Sequence, residues 1–360
     1  LPPGGRKSMN NVEATIGRIS EPDRAAEALA RARQANLTKP EGSLGDLEEL
    51  SIRISGIQGR ADPSVDPGAI FVMAADHGVC REGISAYPPA VTAGMVLNFV
   101  KGGAAINVLG SHAGARVVVA DLGVAVNFDR RLPIYHMKIA KGTGNLAVEM
   151  AMSREQAIRS LEAGIEVFEA ELKAAPFRIA ATGDMGIGNT TASTAMAVVF
   201  TGLEPRRLVG RGTGIDDETL ERKIGVIERA LALHKPEAAD PIGVLASVGG
   251  FEIGALAGVI LAAAAHKTPV LIDGYISGAA ALLARALAPL SAKYMIGTHV
   301  SGDAGHEFML DSLGLKPLLR LGMRLGEGTG AALAMPICSA ACKILNKMAT
   351  FESAKVSRKS

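Results

Sequence analysis

The sequence has little cysteine, almost no excess of either charge, and no obvious apolar run of membrane-spanning length. Cys80, Cys338 and Cys342 are the only cysteines in 360 residues. An odd count without framework spacing excludes a secreted disulfide scaffold. Cys338 and Cys342 lie four apart in an apolar stretch and read as small core residues rather than a metal or redox pair. Basic residues number 38 against 36 acidic ones. That balance gives no electrostatic footprint for nucleic acid or an anionic membrane. Part of the basic excess falls in the tails, at Arg6, Lys7, Lys355, Arg358 and Lys359. The most apolar stretch, residues 253–265, falls short of the ~20 residues that a bilayer requires. No basic segment followed by an apolar run opens the chain, so no signal peptide is expected and a cytoplasmic location is. Met9 reads as a natural start, with residues 1–8 set aside as tag or disordered sequence.

Apolar residues make up 48% of the chain and charged residues 21%, an ordinary globular balance able to fill a large core. Helical periodicity marks residues 21–35 and 43–57. Beyond them, short apolar runs at 69–75, 117–124, 177–182, 269–272 and 294–296 each end in glycine or a polar cluster. Runs apolar at successive positions suit strands buried on both faces. Between them lie helical segments. Ser153 to Gln156 forms a capping box that opens a helix to about residue 174. Asp216 or Asp217 can cap a helix to about residue 234. Residues 251–266 and 278–290 are apolar all round and should be buried. A last helix, near 330–350, contains Pro336 and is expected to kink there. Strand alternating with helix predicts an α/β fold with a largely parallel sheet. The terminal helices, 9–60 and 331–360, fall outside that alternation and are expected to form a small helical domain beside an α/β domain at 61–330.

Many of the 42 glycines cluster after the predicted strands, where positive φ and close ligand approach are both useful. The segment Gly183-Asp-Met-Gly-Ile-Gly-Asn-Thr-Thr191 leads from a strand into a helix. A glycine-rich turn at a helix N-terminus suits an anion, though it also serves as a plain structural turn. It matches neither a Walker loop nor the dinucleotide fingerprint. In Met323-Arg-Leu-Gly-Glu-Gly-Thr-Gly330 a lone carboxylate, Glu327, stands between glycines. It can cap the following helix, or act as a general base in a partly dry pocket. Asp76 and His77 end a strand but lack further metal ligands. His299 and His306 flank Ser301-Gly-Asp303 and read as satisfied, partly buried histidines. Ser301 lacks the elbow of a serine hydrolase. Lys223 is either a solvated charge or a phosphate ligand.

Taken in order, several segments carry a resemblance: Thr38-Lys-Pro-x-Gly-Ser-Leu-Gly45, Ala75-Asp-His-Gly-Val79, Glu82-Gly-Ile-Ser-Ala-Tyr-Pro88, Gly102-Gly-Ala-Ala-Ile-Asn-Val-Leu109, Gly142-Thr-Gly-Asn145, Gly186-Ile-Gly-Asn-Thr-Thr191, Val248-Gly-Gly-Phe251, Val270-Leu-Ile-Asp-Gly274 and Arg324-Leu-Gly-Glu-Gly-Thr-Gly330. From about Thr38 to Phe351 the chain resembles the nicotinate-nucleotide–dimethylbenzimidazole phosphoribosyltransferase family. The resemblance implies a homodimer whose subunits pair a Rossmann-like domain with a small helical domain built from both termini. It implies transfer of phosphoribose from nicotinate mononucleotide to an aromatic base, with inversion at the anomeric carbon and neither metal nor cofactor. It makes Glu327 the general base, assisted from position 184, where some relatives carry Glu and this chain has Asp184. By the same matching, phosphate lies near Gly186 and Gly212 with Lys223 and Ser301 as donors. Tyr87, Met95 and Met185 line the base slot, and Gly330 permits close approach beside Glu327. The alternative reading is a non-catalytic nucleotide-binding paralogue or a subunit of a hetero-oligomer.

Overall fold

The computed structural model describes residues 5–212 and 214–357, with side chains from residue 11 onward. Residues 1–4 of the expected tag lie outside the described residues. Residues 5–8 do not: they open a helix, Gly5–Gly17.

Six strands among the described residues form one parallel sheet: β1 (Gly68–Ala75), β2 (Ala115–Gly123), β3 (Tyr135–His136), β4 (Ile179–Met185), β5 (Val270–Ile272) and β6 (Met295–Gly297). Their spatial order is β3-β2-β1-β4-β5-β6, and every pairing is parallel. This is the Rossmann-like α/β order. The two-residue β3 was missed in the sequence because so short a strand carries no periodicity.

The period of two along β1 explains how both faces are buried. Ala69, Phe71, Met73 and Ala75 join one apolar layer. Ile70, Val72 and Ala74 join the layer on the opposite face. Arg154–Ala174 and Phe251–Ala265 pack against each other on the first face, with Tyr275–Leu287 and Asn189–Thr201 beside them. Ala90–Lys101, Ala105–His112 and Thr329–Lys347 contribute to the second layer. The predicted caps are present. Ser153 and Gln156 complete a capping box, and Asp216 accepts from the Thr219 N–H at 2.8 Å.

Two features differ from the sequence reading. Gly5–Gly17 packs on Arg154–Ala174 and Phe251–Ala265, helices of the α/β domain. Arg24–Asn36 and Asp46–Gln58 do pack on each other and on Thr329–Lys347. Second, Ala90–His112 and Thr329–Lys347 are long and apolar enough to cross a membrane by length and composition. The former is two helices, Ala90–Lys101 and Ala105–His112, broken at Gly102 and Gly103. The latter runs past Pro336 without interruption and buries Ala331, Ala332, Met335, Cys338 and Cys342 in the second layer. Both of those cysteines are free and buried, as core residues should be.

The strand order reverses between β1 and β4. In open parallel sheets ligands bind outside the carboxyl ends at that reversal. Ala74 pairs with Met185 there, so the Asp76–His77 and Asp184–Asn189 turns leave the sheet side by side.

Candidate active site

The loop carrying Glu327 arches over the end of β4. A Cβ at Gly183 would come within 2.6 Å of the Glu327 carbonyl oxygen, so only glycine lets this loop lie against the strand. Gly326, Glu327 and Gly328 all have positive φ, 81°, 62° and 89°. Glu327 is the unusual member, since a side chain rarely adopts this region. Such strain persists where surrounding structure holds it. The holding group is Asp273, just after β5. Its carboxylate accepts from the N–H groups of Gly328 at 3.1 Å and Ala331 at 2.9 Å. Thr329 closes the turn, donating its backbone N–H and its hydroxyl to the Gly326 carbonyl.

The Glu327 side chain is buried, and its Oε2 has no partner. Burial raises its pKa above the ordinary glutamate range, partly countered by the backbone N–H of Ile106. Ile106 belongs to the second apolar layer, against which Met95 and Met185 also pack. The carboxyl group therefore ends on an apolar side of the sheet edge.

On the other side, Asp184, Met185, Gly186, Asn189 and Thr190 line a cavity of about 100 Å³ together with Gly212, Ser301, Asp303, His299, Arg324 and Gly326. The structure thus brings Asp184, Met185, Gly186, Gly212 and Ser301 around one cavity. Asp184 accepts from the Asn189 side chain at 2.9 Å, and its Oδ1 is buried without a partner. Burial first, then the charges of Asp273 and Glu252, push its pKa well above the ordinary range, with a smaller contribution from Glu327.

Lys223 is not a solvated charge. Its ammonium is fully buried behind the cavity wall and donates to Thr190 Oγ1 at 2.8 Å and to the Gly210 carbonyl at 3.3 Å. Burial lowers its pKa to about 8, while the charge of Asp303 pulls the other way. The Gly212 N–H donates to Asp303 at 3.1 Å, and its carbonyl accepts from Arg324 at 2.7 Å. Gly212 therefore shapes the wall and has no spare N–H for an anion. Ser301 Oγ accepts from the Asp303 N–H at 3.3 Å, leaving its own hydrogen available.

Glu327, Met95, Lys223, Tyr87 and Gly330 are not among the residues that line this cavity, and Tyr87, expected in the base slot, is 52% exposed. Gly330 is buried in the first turn of Thr329–Lys347, and its missing Cβ makes room for the His299 ring, since a Cβ would lie 2.0 Å from Nδ1. Its lack of a side chain thus serves the close approach of His299.

Sequence reasoning also missed several groups. Asp273, Arg324, Thr190 and Asp303 were visible only as motif members. His77 Nε2 lies 2.6 Å from Glu252 Oε1 with both side chains out of solvent, so the Asp76–His77 turn is a buried support and not an open ligand pair. Asp76 accepts from the Ala125 N–H at 2.7 Å. The strand-end position of Asp76 and His77 was readable, but a partner 175 residues away was not.

The chain is similar to known proteins along nearly its whole length. A family model described as a phosphoribosyltransferase (DBI_PRT) matches residues 19–356. The nicotinate-nucleotide–dimethylbenzimidazole phosphoribosyltransferase of Roseiflexus sp. (strain RS-1) is 56% identical over 351 residues, 98% of this chain and 99% of that protein. The protein of the same name from Chloroflexus aggregans is 55% identical with the same coverage. The crystal structure of the corresponding enzyme from Thermus thermophilus superposes with a TM-score of 0.89 at 45% identity, covering 94% of this chain and all of that one. By full-length match of model, sequence and structure, the chain belongs to the DBI_PRT family of phosphoribosyltransferases.

Proposed function

We propose that this enzyme moves the 5-phosphoribosyl group of nicotinate mononucleotide to 5,6-dimethylbenzimidazole or a similar aromatic base. The products are nicotinate and α-ribazole 5′-phosphate, the nucleotide of a cobamide lower ligand. The observation that carries this reading is Glu327: a buried carboxyl group with one oxygen free, fixed at a strand-order reversal beside a cavity with anion donors.

The chemistry follows from the two sides of that edge. A ring nitrogen of the base attacks the anomeric carbon as the bond to nicotinate breaks. The bonding pair returns to the pyridinium nitrogen, which becomes neutral and needs no acid. The attacking ring gains positive charge, which loss of its N–H proton to Glu327 relieves. A carboxylate with a raised pKa is a stronger proton acceptor than an exposed one, and a positioned base is worth about 10²–10⁴-fold. Met95 and Met185 supply polarizable apolar surface for a flat ring on the Glu327 side. Ser301 and Lys223 serve the phosphate, the latter at the wall formed by Thr190 and Gly212. Asp303 directs its charge to the Gly212 N–H and toward Lys223, which limits repulsion of a phosphate. Asp184, its carboxyl pushed toward the neutral form by burial, and Asn189, which donates to it, line the same cavity.

The resemblance also supports a homodimer, and exposed Leu97 and Val108 on neighbouring helices offer apolar surface for a second copy. Light scattering on the purified chain tests that assignment. The reaction is tested by mixing protein, nicotinate mononucleotide and 5,6-dimethylbenzimidazole and separating the products. Nicotinate and the α-ribotide should form in equal amounts. Folded protein that binds the nucleotide without forming either product would favour the silent-paralogue reading instead.

A further inference from the structure

We propose that His299 reads the sugar of the bound nucleotide: its unprotonated Nε2 accepts a hydrogen bond from a ribose hydroxyl and so selects and orients a ribosyl donor. The inference rests on the reading of this cavity as the phosphoribosyl site.

The argument begins with the hydrogens around Thr298. Its hydroxyl has one hydrogen, and it lies 2.8 Å from the Ile272 carbonyl and 3.3 Å from the Asp273 carbonyl. Carbonyls only accept, so that hydrogen is committed to them. His299 Nδ1 lies 3.0 Å from the same Thr298 oxygen. The hydrogen in this contact must therefore come from Nδ1. Burial disfavours the charged ring of His299, and a neutral ring with its hydrogen on Nδ1 carries a lone pair at Nε2.

That lone pair faces the cavity. His299 lines it beside Gly274 and Ser301. Among the described residues Nε2 has no hydrogen-bond partner, and it lies on the side of the ring toward cavity-lining Gly274, where an added Cβ would come 3.9 Å from it. The ring is also held in place. It rests on Gly330, where any side chain would collide with it, and is anchored by Thr298. A fixed acceptor of this kind repels phosphate oxygens and matches an O–H donor. Among the parts of a nucleoside monophosphate, the ribose hydroxyls supply that donor. The phosphate then belongs toward Ser301 and the wall backed by Lys223, and the ribose, whose anomeric carbon reacts, lies between the phosphate and the two bases.

The test is a cycle of enzyme and substrate changes. Wild type, His299→Ala and His299→Gln are assayed for kcat and KM with nicotinate mononucleotide and with its 2′-deoxy and 3′-deoxy forms. One deoxy donor should lose about 3–10-fold in kcat/KM with wild type, the worth of one neutral hydrogen bond. His299→Ala should lose a similar factor on the ribosyl donor and little further on that deoxy donor, because the same bond cannot be removed twice. His299→Gln, whose side-chain oxygen can accept, should recover part of the loss. An equal loss from His299→Ala on all three donors would mean a structural role and overturn the proposal. Should that variant not fold, wild type alone decides: failure to discriminate against either deoxy donor overturns it as well. Absence of turnover by wild type with nicotinate mononucleotide itself would instead strike down the reading of the cavity and the proposal with it.

Discussion

Asp273 grips the N–H of Gly328 at 3.1 Å, and through that bond the end of one strand sets the position of the neighbouring Glu327. The same carboxylate reaches Ala331, so it spans the turn into the following helix. Removing it leaves two buried N–H groups without an acceptor, each worth about 1–3 kcal/mol. Asp273→Ala should therefore lower the denaturation midpoint and depress kcat more than it raises KM, since the loop holds the base. Unchanged kcat in a folded variant would show that Glu327 keeps its place without this clamp.

Asp184 should leave a signature in the pH dependence of stability. Burial and the charges of Asp273 and Glu252 raise its folded-state pKa. A raised acid contributes stability that is fully present below its unfolded pKa and is lost as pH rises toward the folded one. Asp184→Asn keeps an oxygen for Asn189 and cannot ionise. Its urea midpoint should fall less than that of wild type between the ordinary aspartate range and neutral pH. Parallel curves for the two proteins would contradict the assignment. Asp273, with a pKa raised to about 7, has the same sign and should leave a residual slope in the variant.

Lys223 predicts an alkaline limb in nucleotide use. Its ammonium is the charged form below about 8 and is lost as pH rises through that value. The profile of kcat/KM for the phosphorylated donor reports groups of the free enzyme, so it should decline above about pH 8. Lys223→Met should flatten that limb and raise KM for the nucleotide. A limb that survives the substitution would place its origin elsewhere.

Much of this was legible from sequence where local chemistry dictates structure. Continuous apolar runs marked five of the strands, and glycine clusters after them marked the sheet edge that carries the site. Glu327 stood out because a carboxylate between glycines is a conspicuous local pattern. What escaped were long-range partnerships. The hold of Asp273 on the Glu327 loop joins residues 55 apart, and the contact between Lys223 and Thr190 spans 33. At Gly330 the sequence shows that space is needed beside Glu327, but not that the His299 ring packs there. Tyr87, placed by register alone, is half-exposed.

The central claim is that Glu327 takes the proton of the incoming base, and Glu327→Gln tests it most directly. The amide preserves size and cannot serve as that base. With nicotinate mononucleotide and 5,6-dimethylbenzimidazole, kcat should fall by about 10²–10⁴-fold while calorimetry shows nucleotide binding retained. The wild-type rate should also fall as pH drops, through a pKa above the ordinary glutamate range, since burial raises that of Glu327. A Glu327→Gln enzyme that turns over at the wild-type rate would contradict the account.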